Sequence, residues 1–302
     1  MQLRDVEYVC TLAEHGNFSR AAKVLYVSQP ALSQAIKRLE EQLGVTLFIR
    51  RKNAVTPTRA GELFLASGQQ MMALSRLIER QMLEVQGLKQ GRLELGLSAL
   101  ICRAYLPQVL PVFRRLYPNI ALDIAEMSSY DLEEQLHRRK IELAVLPLPL
   151  ADKGLDHTYI LTEETLLAVP KSHRINQLMP QPREGELNTV SLSLFSQDPF
   201  IVQFPYQRMR TLSDEACRMA GFEPIIAFET QMTDTVNALV STGMGVGFIP
   251  RTTNLNPGVV YYRMSNRIMD RKIVAAYVRG QYLSHAAREF IQVFQEVAGA
   301  KQ

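Results

Sequence analysis

Apolar residues within positions 3–13 recur three and four places apart, which is the spacing of an amphipathic helix. Polar residues and Gly16 interrupt this spacing. Ser19 is then placed to cap a second, short helix over residues 20–25. The beginning of the chain therefore predicts two short helices separated by a break.

A third helix is predicted after a turn at residues 26–27. Ser28 is its expected cap, Pro30 falls in the first turn, where its missing N–H costs nothing, and the helical spacing continues to Leu39. One face of this helix is apolar, whereas polar residues occupy the others. Two short helices joined by a tight turn, with a polar outer face, are typical of a helix-turn-helix.

Two short strands, residues 46–49 and 54–56, are predicted next, with a basic turn at residues 50–53 between them. A β-hairpin at this place forms the wing of a winged helix-turn-helix. We therefore expect residues 1–58 to form a DNA-binding domain of that kind.

The helical spacing returns over residues 58–89, which would make a helix about 48 Å long. Its apolar side chains fall near one stripe, and an isolated helix with such a stripe needs a partner. We assign residues 59–90 to a linker helix that pairs with a second copy of the chain; the alternative is that the stripe packs on the chain's own C-terminal domain. The predicted dimer contacts are Leu63, Met71, Leu74, Ile78, Met82 and Val85.

Apolar strands alternate with amphipathic helices from Gly91 onward, which predicts an α/β domain wound around a largely parallel sheet. The alternation occurs in two successive sets, and a last strand and helix can return to the first set. We expect a two-lobed effector domain over residues 91–302, like that of periplasmic binding proteins, with lobe I at 91–162 and 267–302 and lobe II at 163–266. The whole chain is then α+β.

Charge and composition narrow the function of these domains. Residues 1–60 hold nine basic and five acidic side chains, and this excess of four equals the net charge of +4 of the whole chain. The basic end is therefore the candidate nucleic-acid end. No window approaches the roughly 20 apolar residues of a membrane span, and no signal core follows the first charges, so we expect a cytoplasmic protein without membrane contact.

The three cysteines lie far apart, and no CxxC pair or histidine spacing typical of a metal site occurs, so we expect no metal and no cofactor. The sequence also lacks the GxSxG, P-loop and GxGxxG motifs of common enzymes. Residues 243–247 are rich in glycine, but they precede a predicted strand instead of opening a helix. We therefore do not expect an enzyme.

Residues 17–62, NFSRAAKVLYVSQPALSQAIKRLEEQLGVTLFIRRKNAVTPTRAGE, strongly resemble the signature of LysR-type transcriptional regulators. A weaker resemblance continues through residues 91–96, 117–120 and 241–250. The resemblance implies a sequence-specific regulator, an activator or a repressor, controlled by a small molecule bound between two lobes. It also implies double-stranded promoter or operator DNA, RNA polymerase and further copies of the chain, as a homodimer or homotetramer, as partners.

The first half of the second helix of a helix-turn-helix enters the major groove, so Gln29, Pro30, Ser33 and Gln34 are placed to meet base edges. Phosphate contacts are expected from neighbouring polar and basic side chains and from the wing. Ser28 can cap its helix at the same time. The residues assigned to DNA contact are Ser28, Gln29, Pro30, Ser33, Gln34, Lys37, Arg38, Arg50, Arg51 and Lys52.

The effector site is expected where strands end and helix N-termini present free N–H groups, an arrangement that favours an anion and makes a carboxylate the candidate effector. These positions match the expected pocket of the family, although each hydroxyl could instead serve only as a helix cap. The residues assigned to the effector are Ser98, Leu100, Ser128, Ser129, Gln203, Thr230 and Gln231.

Three alternatives to this function stay open from the sequence. One is a regulator that senses oxidants through cysteines, although only Cys217 lies in the predicted second lobe. The others are a solute-binding receptor, which would need export and would not use residues 1–60, and an enzyme built on the α/β domain.

Overall fold

A computed structural model of the chain describes residues 1–51, 54–85, 91–180, 186–265 and 269–299. Its N-terminal part is a winged helix-turn-helix followed by a long helix, as the sequence predicts. The elements of this part are α1 (Leu3–His15), α2 (Phe18–Val24), α3 (Gln29–Leu43), β1 (Phe48–Arg51), β2 (Ala54–Pro57) and α4 (Arg59–Val85).

The three short helices enclose an apolar core to which each contributes fully buried side chains, among them Leu12, Ala21 and Ile36. The cap of α2 differs from the prediction, because Asn17 and not Ser19 caps it. The Asn17 Oδ1 atom accepts hydrogen bonds from the amides of Ser19 and Arg20, at 2.9 and 3.1 Å. An Asx side chain two residues upstream thus fixes where this helix begins.

The wing begins later than predicted, because β1 starts at Phe48. Leu47 and Phe48 are buried in the core, and both donate their amide hydrogens to the Glu40 carboxylate, at 2.7 and 3.2 Å. These contacts hold the chain before the strand, so Arg50 and Arg51 lie within β1 and not in a turn. The hairpin is antiparallel, with Arg51 opposite Ala54.

The C-terminal part contains two mixed sheets, one in each lobe. Lobe I orders its strands β4-β3-β5-β13-β6, and lobe II orders them β10-β9-β11-β7-β12-β8. The strands are β3 (Gly91–Leu97), β4 (Ile120–Glu126), β5 (Leu143–Pro147), β6 (Leu155–Glu163), β7 (Thr165–Pro170), β8 (Thr189–Val190), β9 (Pro199–Gln203), β10 (Ile225–Thr230), β11 (Val246–Pro250), β12 (Val259–Met264) and β13 (Arg271–Val278). The helices are α5 (Ala99–Leu116), α6 (Ser129–His137), α7 (Ile175–Leu178), a 3₁₀ helix (Leu192–Phe195), α8 (Arg208–Met219), α9 (Thr233–Ser241) and α10 (His285–Gly299).

Helices cover both faces of each sheet. In lobe I, α5 and α10 pack with Leu143 and Val145 of β5, whereas α6 packs with Ala144 and Leu146 of the same strand. Successive strand residues point to opposite faces, so α5 and α6 lie on opposite sides of the sheet. In lobe II the same alternation along β9 places α8 and α9 on opposite sides.

The prediction of a largely parallel sheet is correct only for part of each lobe. Strand β3 runs parallel to β4 and β5, but β13 is antiparallel to β5 and β6. In lobe II, β7 is antiparallel to both β11 and β12. The antiparallel strands are those next to the two crossings of the chain between lobes, from β6 to β7 and from β12 to β13.

The sequence pattern predicts a helix over residues 104–117, but α5 begins five residues earlier, at Ala99. Pro107 would fit the first turn of a helix that starts at 104, yet Ile101 and Tyr105 are buried against the sheet and the helix begins directly after Ser98. The burial of these side chains outweighs the helix-breaking tendency of an interior proline.

A buried carboxylate lies where the chain crosses between the lobes. Glu163, the last residue of β6, accepts hydrogen bonds from the hydroxyls of Tyr105 and Thr252, at 3.1 and 2.5 Å, and its second oxygen lies 3.4 Å from Arg271 Nη1. Tyr105 and Arg271 belong to lobe I, whereas Thr252 follows β11 of lobe II. Glu163 therefore connects the two lobes at the crossing.

Candidate nucleic-acid interface and effector cleft

The outer face of α3 presents the residues predicted to contact DNA. Ser28 caps the helix, with its Oγ atom accepting the amide hydrogen of Ala31 at 3.3 Å, and Pro30 stands in the first turn. Ser33 is half-buried, and the other predicted α3 residues are exposed, namely Gln29, Pro30, Gln34, Lys37 and Arg38. The structure thus groups these side chains on one accessible helix.

Arg50 connects the wing to α3 through its side-chain contacts. Its guanidinium donates to Ser33 Oγ at 3.2 Å, lies 3.7 Å from the Glu40 carboxylate and stands 4.9 Å above the centre of the Phe18 ring. Because Glu40 also accepts the amide hydrogens at the start of β1, helix and wing form one unit. Arg50 and Ser33 are therefore engaged with each other, which their positions in the sequence do not reveal.

Arg51 is exposed on the wing, as is Arg50, but it differs from Arg50 in its contacts. Within the described part of the chain, it has no hydrogen-bond or ion-pair partner, so its charge is available to a phosphate. Lys52, the third predicted wing cation, lies outside the described residues.

Tyr26 is a candidate contact that the sequence reasoning missed. It occupies the turn between α2 and α3 with a φ of 54°, a left-handed conformation that is uncommon for an aromatic residue, and it is 96% exposed. An aromatic residue at a turn before a helix cap gives no signal in the sequence beyond the turn itself.

The apolar stripe of α4 is open to solvent in the single chain. Of the predicted dimer contacts, the described side chains are between 41% and 60% exposed, namely Leu63, Met71, Leu74, Ile78 and Met82. The side chain of Val85 lies outside the described residues. Within the described part of the chain, Leu74 is the stripe residue that lines the cavity of about 210 Å³ between α4 and lobe I. The stripe as a whole is therefore not covered by the C-terminal domain.

Two predicted effector residues of lobe I differ in what their hydroxyls do. Ser98 and Ser128 follow the neighbouring parallel strands β3 and β4, so both lie at the same edge of the sheet. Ser128 Oγ accepts the amide hydrogen of Asp131 at 3.2 Å and donates to its carboxylate at 2.6 Å. Ser98 precedes α5 without a side-chain capping bond, which leaves its hydroxyl available. Leu100 and Ser129 are half-buried beside them.

The predicted residues of lobe II lie at the ends of β9 and β10, where Gln203 and Thr230 are paired in register. Gln203 is buried, and its Nε2 atom has no hydrogen-bond acceptor among the described residues. Thr230 Oγ1 accepts the amide hydrogen of Met232 at 3.3 Å, which stabilises the turn before α9. Gln231 is exposed, and its carbonyl accepts a hydrogen bond from Gln207.

Among the described residues, two ion pairs join helices of opposite lobes, and sequence analysis identified neither. Arg103 of α5 pairs with Asp234 of α9, and Arg208 of α8 pairs with Glu133 of α6. The partners lie 131 and 75 residues apart, so no local pattern relates them. Charged side chains of both lobes are thus paired with each other between the lobes.

The cysteines lie in three separate parts of the fold, and their thiols ionise less readily than an ordinary thiol. Burial, together with Glu126, raises the pKa of Cys102 to about 11, and burial with nearby carboxylates raises the pKa of Cys217 to about 12. The pKa of Cys10 is also raised by burial. Because the thiolate is the form that reacts with oxidants, these environments suppress oxidation at neutral pH.

Among the described residues, no group of three or more His, Cys, Asp or Glu side chains is arranged to hold a metal ion. Likewise, no helix in the described ranges is both long and apolar enough for a membrane span.

Comparisons with known proteins agree with this arrangement. Residues 3–62 match the model described as the bacterial regulatory helix-turn-helix protein, lysR family, and residues 86–299 match the LysR substrate binding domain. The HTH-type transcriptional regulator YcgK of Bacillus subtilis is 31% identical over 98% of this chain and 94% of its own length. AlsR, an HTH-type regulator of the same organism, is 30% identical over 92% of this chain and 90% of its own length.

Solved structures share the fold along the whole chain. A full-length OxyR variant from Pseudomonas aeruginosa superposes with a TM-score of 0.72 and 23% identity, covering 98% of this chain and 97% of that one. Full-length CbnR in complex with its target DNA gives a TM-score of 0.65 and 23% identity, covering 98% and 100%. With both domains matched in their expected order, this chain belongs to the LysR family of DNA-binding transcriptional regulators.

Proposed function

We propose that this regulator binds an operator as a dimer joined along α4. In this proposal α3 contacts base edges, the wing contacts phosphates, and a carboxylate bound between the lobes controls DNA binding. It acts on promoters in the cytoplasm, where it contacts RNA polymerase. Association of two dimers into a tetramer would use surfaces other than α4. Regulation of this kind requires no catalysis and no cofactor, because the effector acts by shifting the placement of the DNA-binding domains.

The division of roles on the DNA rests mainly on the contrast between α3 and Arg51. Gln29 and Pro30 stand exposed in the first turn of α3, the part of a recognition helix that approaches base edges. A glutamine can bond an adenine through two hydrogen bonds, and a proline can contact a thymine methyl. Arg51 is exposed and unpartnered within the described residues, which suits a phosphate contact.

Titrations of variants on two DNAs test these roles. The operator is first obtained by selection from a random library with the full-length protein. Gln29→Ala should lose about 1 to 3 kcal/mol on the selected site and little on random DNA, because a base contact discriminates sequence. Arg51→Ala should weaken both DNAs alike and reduce the slope of log K against log salt by about one, because one phosphate contact is lost.

Matched controls are Gln42→Ala, an exposed glutamine at the far end of the same helix, and Arg115→Ala, an exposed arginine of lobe I. Both should bind like the wild type. An equal loss of selected and random DNA binding by Gln29→Ala would remove this residue from base recognition. An unchanged salt slope for Arg51→Ala would remove the wing phosphate contact.

The carboxylate effector is supported by the start of α5. The helix is 18 residues long, its first intrahelical bond runs from the Cys102 amide to the Ser98 carbonyl, and the preceding amides carry the positive end of the helix dipole. The Ser98 hydroxyl makes no capping bond and can donate its hydrogen to an anion. Amides and a hydroxyl at a helix N-terminus are suited to a carboxylate.

Thermal-shift measurements with small carboxylates and their amides test the effector class, because a ligand of the folded state raises the melting temperature by mass action. Acetate, lactate, succinate and benzoate form the panel. A carboxylate that stabilises the wild type should stabilise Ser128→Ala equally, since that hydroxyl is engaged with Asp131, and Ser98→Ala much less. Stabilisation by an amide as strong as that by its acid would contradict the proposal.

Effector binding is favoured over the cysteine-based alternative. Two relatives of 26% identity are named as hydrogen peroxide-inducible genes activators, from Dickeya chrysanthemi and Pectobacterium carotovorum. In this chain, however, burial raises the pKa of each thiol, and the cysteines belong to three different parts of the fold. Control by a bound ligand therefore agrees better with these residues than control by oxidation.

A further inference from the structure

Among the described residues, helices of the two lobes are joined by one ion pair on each side of the sheets. Helices α5 and α6 cover opposite faces of the lobe I sheet, and α8 and α9 cover opposite faces of the lobe II sheet. The pair Arg103–Asp234 joins α5 to α9, and the pair Arg208–Glu133 joins α6 to α8. A molecule entering between the lobes therefore meets one pair or the other at the rim.

Burial distinguishes the two pairs. The side chains of Arg103 and Asp234 are both 47% exposed, so water screens their attraction and the pair contributes little. The side chains of Arg208 and Glu133 are 17% and 6% exposed, so their charges are largely withdrawn from water. Burial lowers the pKa of Arg208, against the opposing effect of Glu133. A guanidinium charge that is withdrawn from water needs a counter-charge in contact with it.

The two partners depend on each other unequally. The second oxygen of Glu133, Oε2, accepts the amide hydrogens of Ala151 and Asp152, at 2.9 and 2.8 Å. Glu133 thus retains two backbone hydrogen-bond donors when its ion pair with Arg208 is broken. Among the described residues, Arg208 has Glu133 as its one hydrogen-bond and ion-pair partner. Whatever takes Arg208 away from Glu133 must therefore bring a negative charge of its own.

We propose that Arg208 is a second anchor for an anionic group of the effector, and that Glu133 occupies this anchor as an internal carboxylate until the effector displaces it. The inference rests on the proposed effector cleft and deepens it, since it names a residue of lobe II that selects for negative charge. Arg208 is the first residue of α8, so the displaced position also lies at the start of a 12-residue helix.

Rescue of a cavity variant by free acetate tests the anchor in the full-length protein. Glu133→Ala removes the internal carboxylate and leaves three donors around the space, the Arg208 guanidinium and the amides of Ala151 and Asp152. Melting temperatures are measured against acetate, with chloride replaced by acetate at constant ionic strength, and against acetamide. The series comprises the wild type, Glu133→Ala, Arg208→Gln and the double variant.

Acetate should stabilise Glu133→Ala with an apparent dissociation constant at least about tenfold lower than in the wild type, because an internal competitor reduces apparent affinity by the fraction of time that the site is free. Acetamide should stabilise neither, and Arg208→Gln and the double variant should respond to acetate no more strongly than the wild type does. The proposal is also supported when acetate stabilises Glu133→Ala but not the wild type, because Glu133 then excludes acetate from Arg208.

The proposal is overturned when acetate stabilises the wild type and Glu133→Ala equally, when it stabilises the double variant as much as Glu133→Ala, or when folded Glu133→Ala does not respond. Where Glu133→Ala is not recovered folded, Glu133→Gln replaces it, because its amide oxygen can still accept the two backbone N–H groups. The same comparisons then decide. DNA binding by the wild type is unaffected by these outcomes, so failure here leaves the proposed role in DNA recognition standing.

Discussion

Placing charges on the exposed stripe of α4 should separate the dimer. Leu74 and Ile78 are 57% and 51% exposed in the single chain. Full burial of such a side chain stabilises by about 1.5 to 3 kcal/mol, so covering the exposed half is worth roughly 0.8 to 1.5 kcal/mol each. Four such side chains meet in a symmetric dimer, which gives roughly 3 to 6 kcal/mol.

The double variant Leu74→Glu/Ile78→Glu removes this contribution and opposes like charges across the symmetry axis. At about 1.4 kcal/mol for each tenfold change, the dissociation constant should rise by roughly 10²- to 10⁴-fold. Light scattering after gel filtration and sedimentation over a range of protein concentrations measure the mass, and far-ultraviolet circular dichroism checks folding. The matched control Leu178→Glu/Leu255→Glu adds the same charges at two exposed leucines outside α4.

The control should keep the oligomeric state of the wild type, and the α4 variant should sediment as a single chain. A folded α4 variant with the mass of the wild-type oligomer at every concentration would refute the reasoning. The stripe would then be a surface for another contact, and the interface between copies would lie on the C-terminal lobes.

Three further substitutions or reactions test local features. Asn17→Ala should destabilise the DNA-binding domain by about 1 kcal/mol in urea unfolding, whereas Ser19→Ala should not, because Asn17 makes the capping bonds; equal effects would contradict this assignment. Gly61→Ala should lower the free energy of unfolding by about 2 to 3 kcal/mol, because the added Cβ would lie 2.1 Å from a backbone carbonyl oxygen. Gly299→Ala should leave the free energy of unfolding nearly unchanged, because its Cβ meets nothing within 4 Å. Cys102 should react with a thiol reagent about 100-fold more slowly than a thiol with the ordinary pKa of 9.0, because its pKa is raised to about 11; reaction at the ordinary rate near neutral pH would show that the thiol is more open than its contacts indicate.

The DNA-binding domain was the part most accessible to prediction from the sequence. Its helices are specified by neighbouring residues, such as the Ser28 cap and the apolar spacing of α3. The start of the wing was misplaced because Glu40, seven residues before Leu47, fixes the chain there through a hydrogen bond. That bond depends on how α3 packs, which short-range patterns do not contain.

The lobes were predicted in outline, but three of the four strands at the crossings, β6, β7 and β12, were not. Strands β6 and β7 are separated by Glu164 alone, so no loop marks the boundary between them. Strand β12 follows a polar stretch that obscures its alternation of apolar and polar residues. The cleft residues that follow strands were identified because helix starts have a local signature. Arg208 and Glu133 were not, since only the folded chain brings them together.

Helix α6 lies between the effector cleft and the DNA-binding part of the chain. Glu133 in its middle bonds Arg208 of lobe II, while the turn after its C-terminus contacts the N-terminal part: Arg76 of α4 donates to the Arg139 carbonyl at 3.3 Å, and Lys140 lies 3.5 Å from the Glu14 carboxylate. A nine-residue helix moves largely as one body, so a change in the partner of Glu133 acts on an element whose other end touches α1 and α4. Arg139 holds a left-handed φ of 54°, and a non-glycine residue keeps that conformation only when its surroundings fix it. Displacement of Glu133 from Arg208, if it occurs as proposed above, would therefore act on an element that contacts the DNA-binding domain within the same chain.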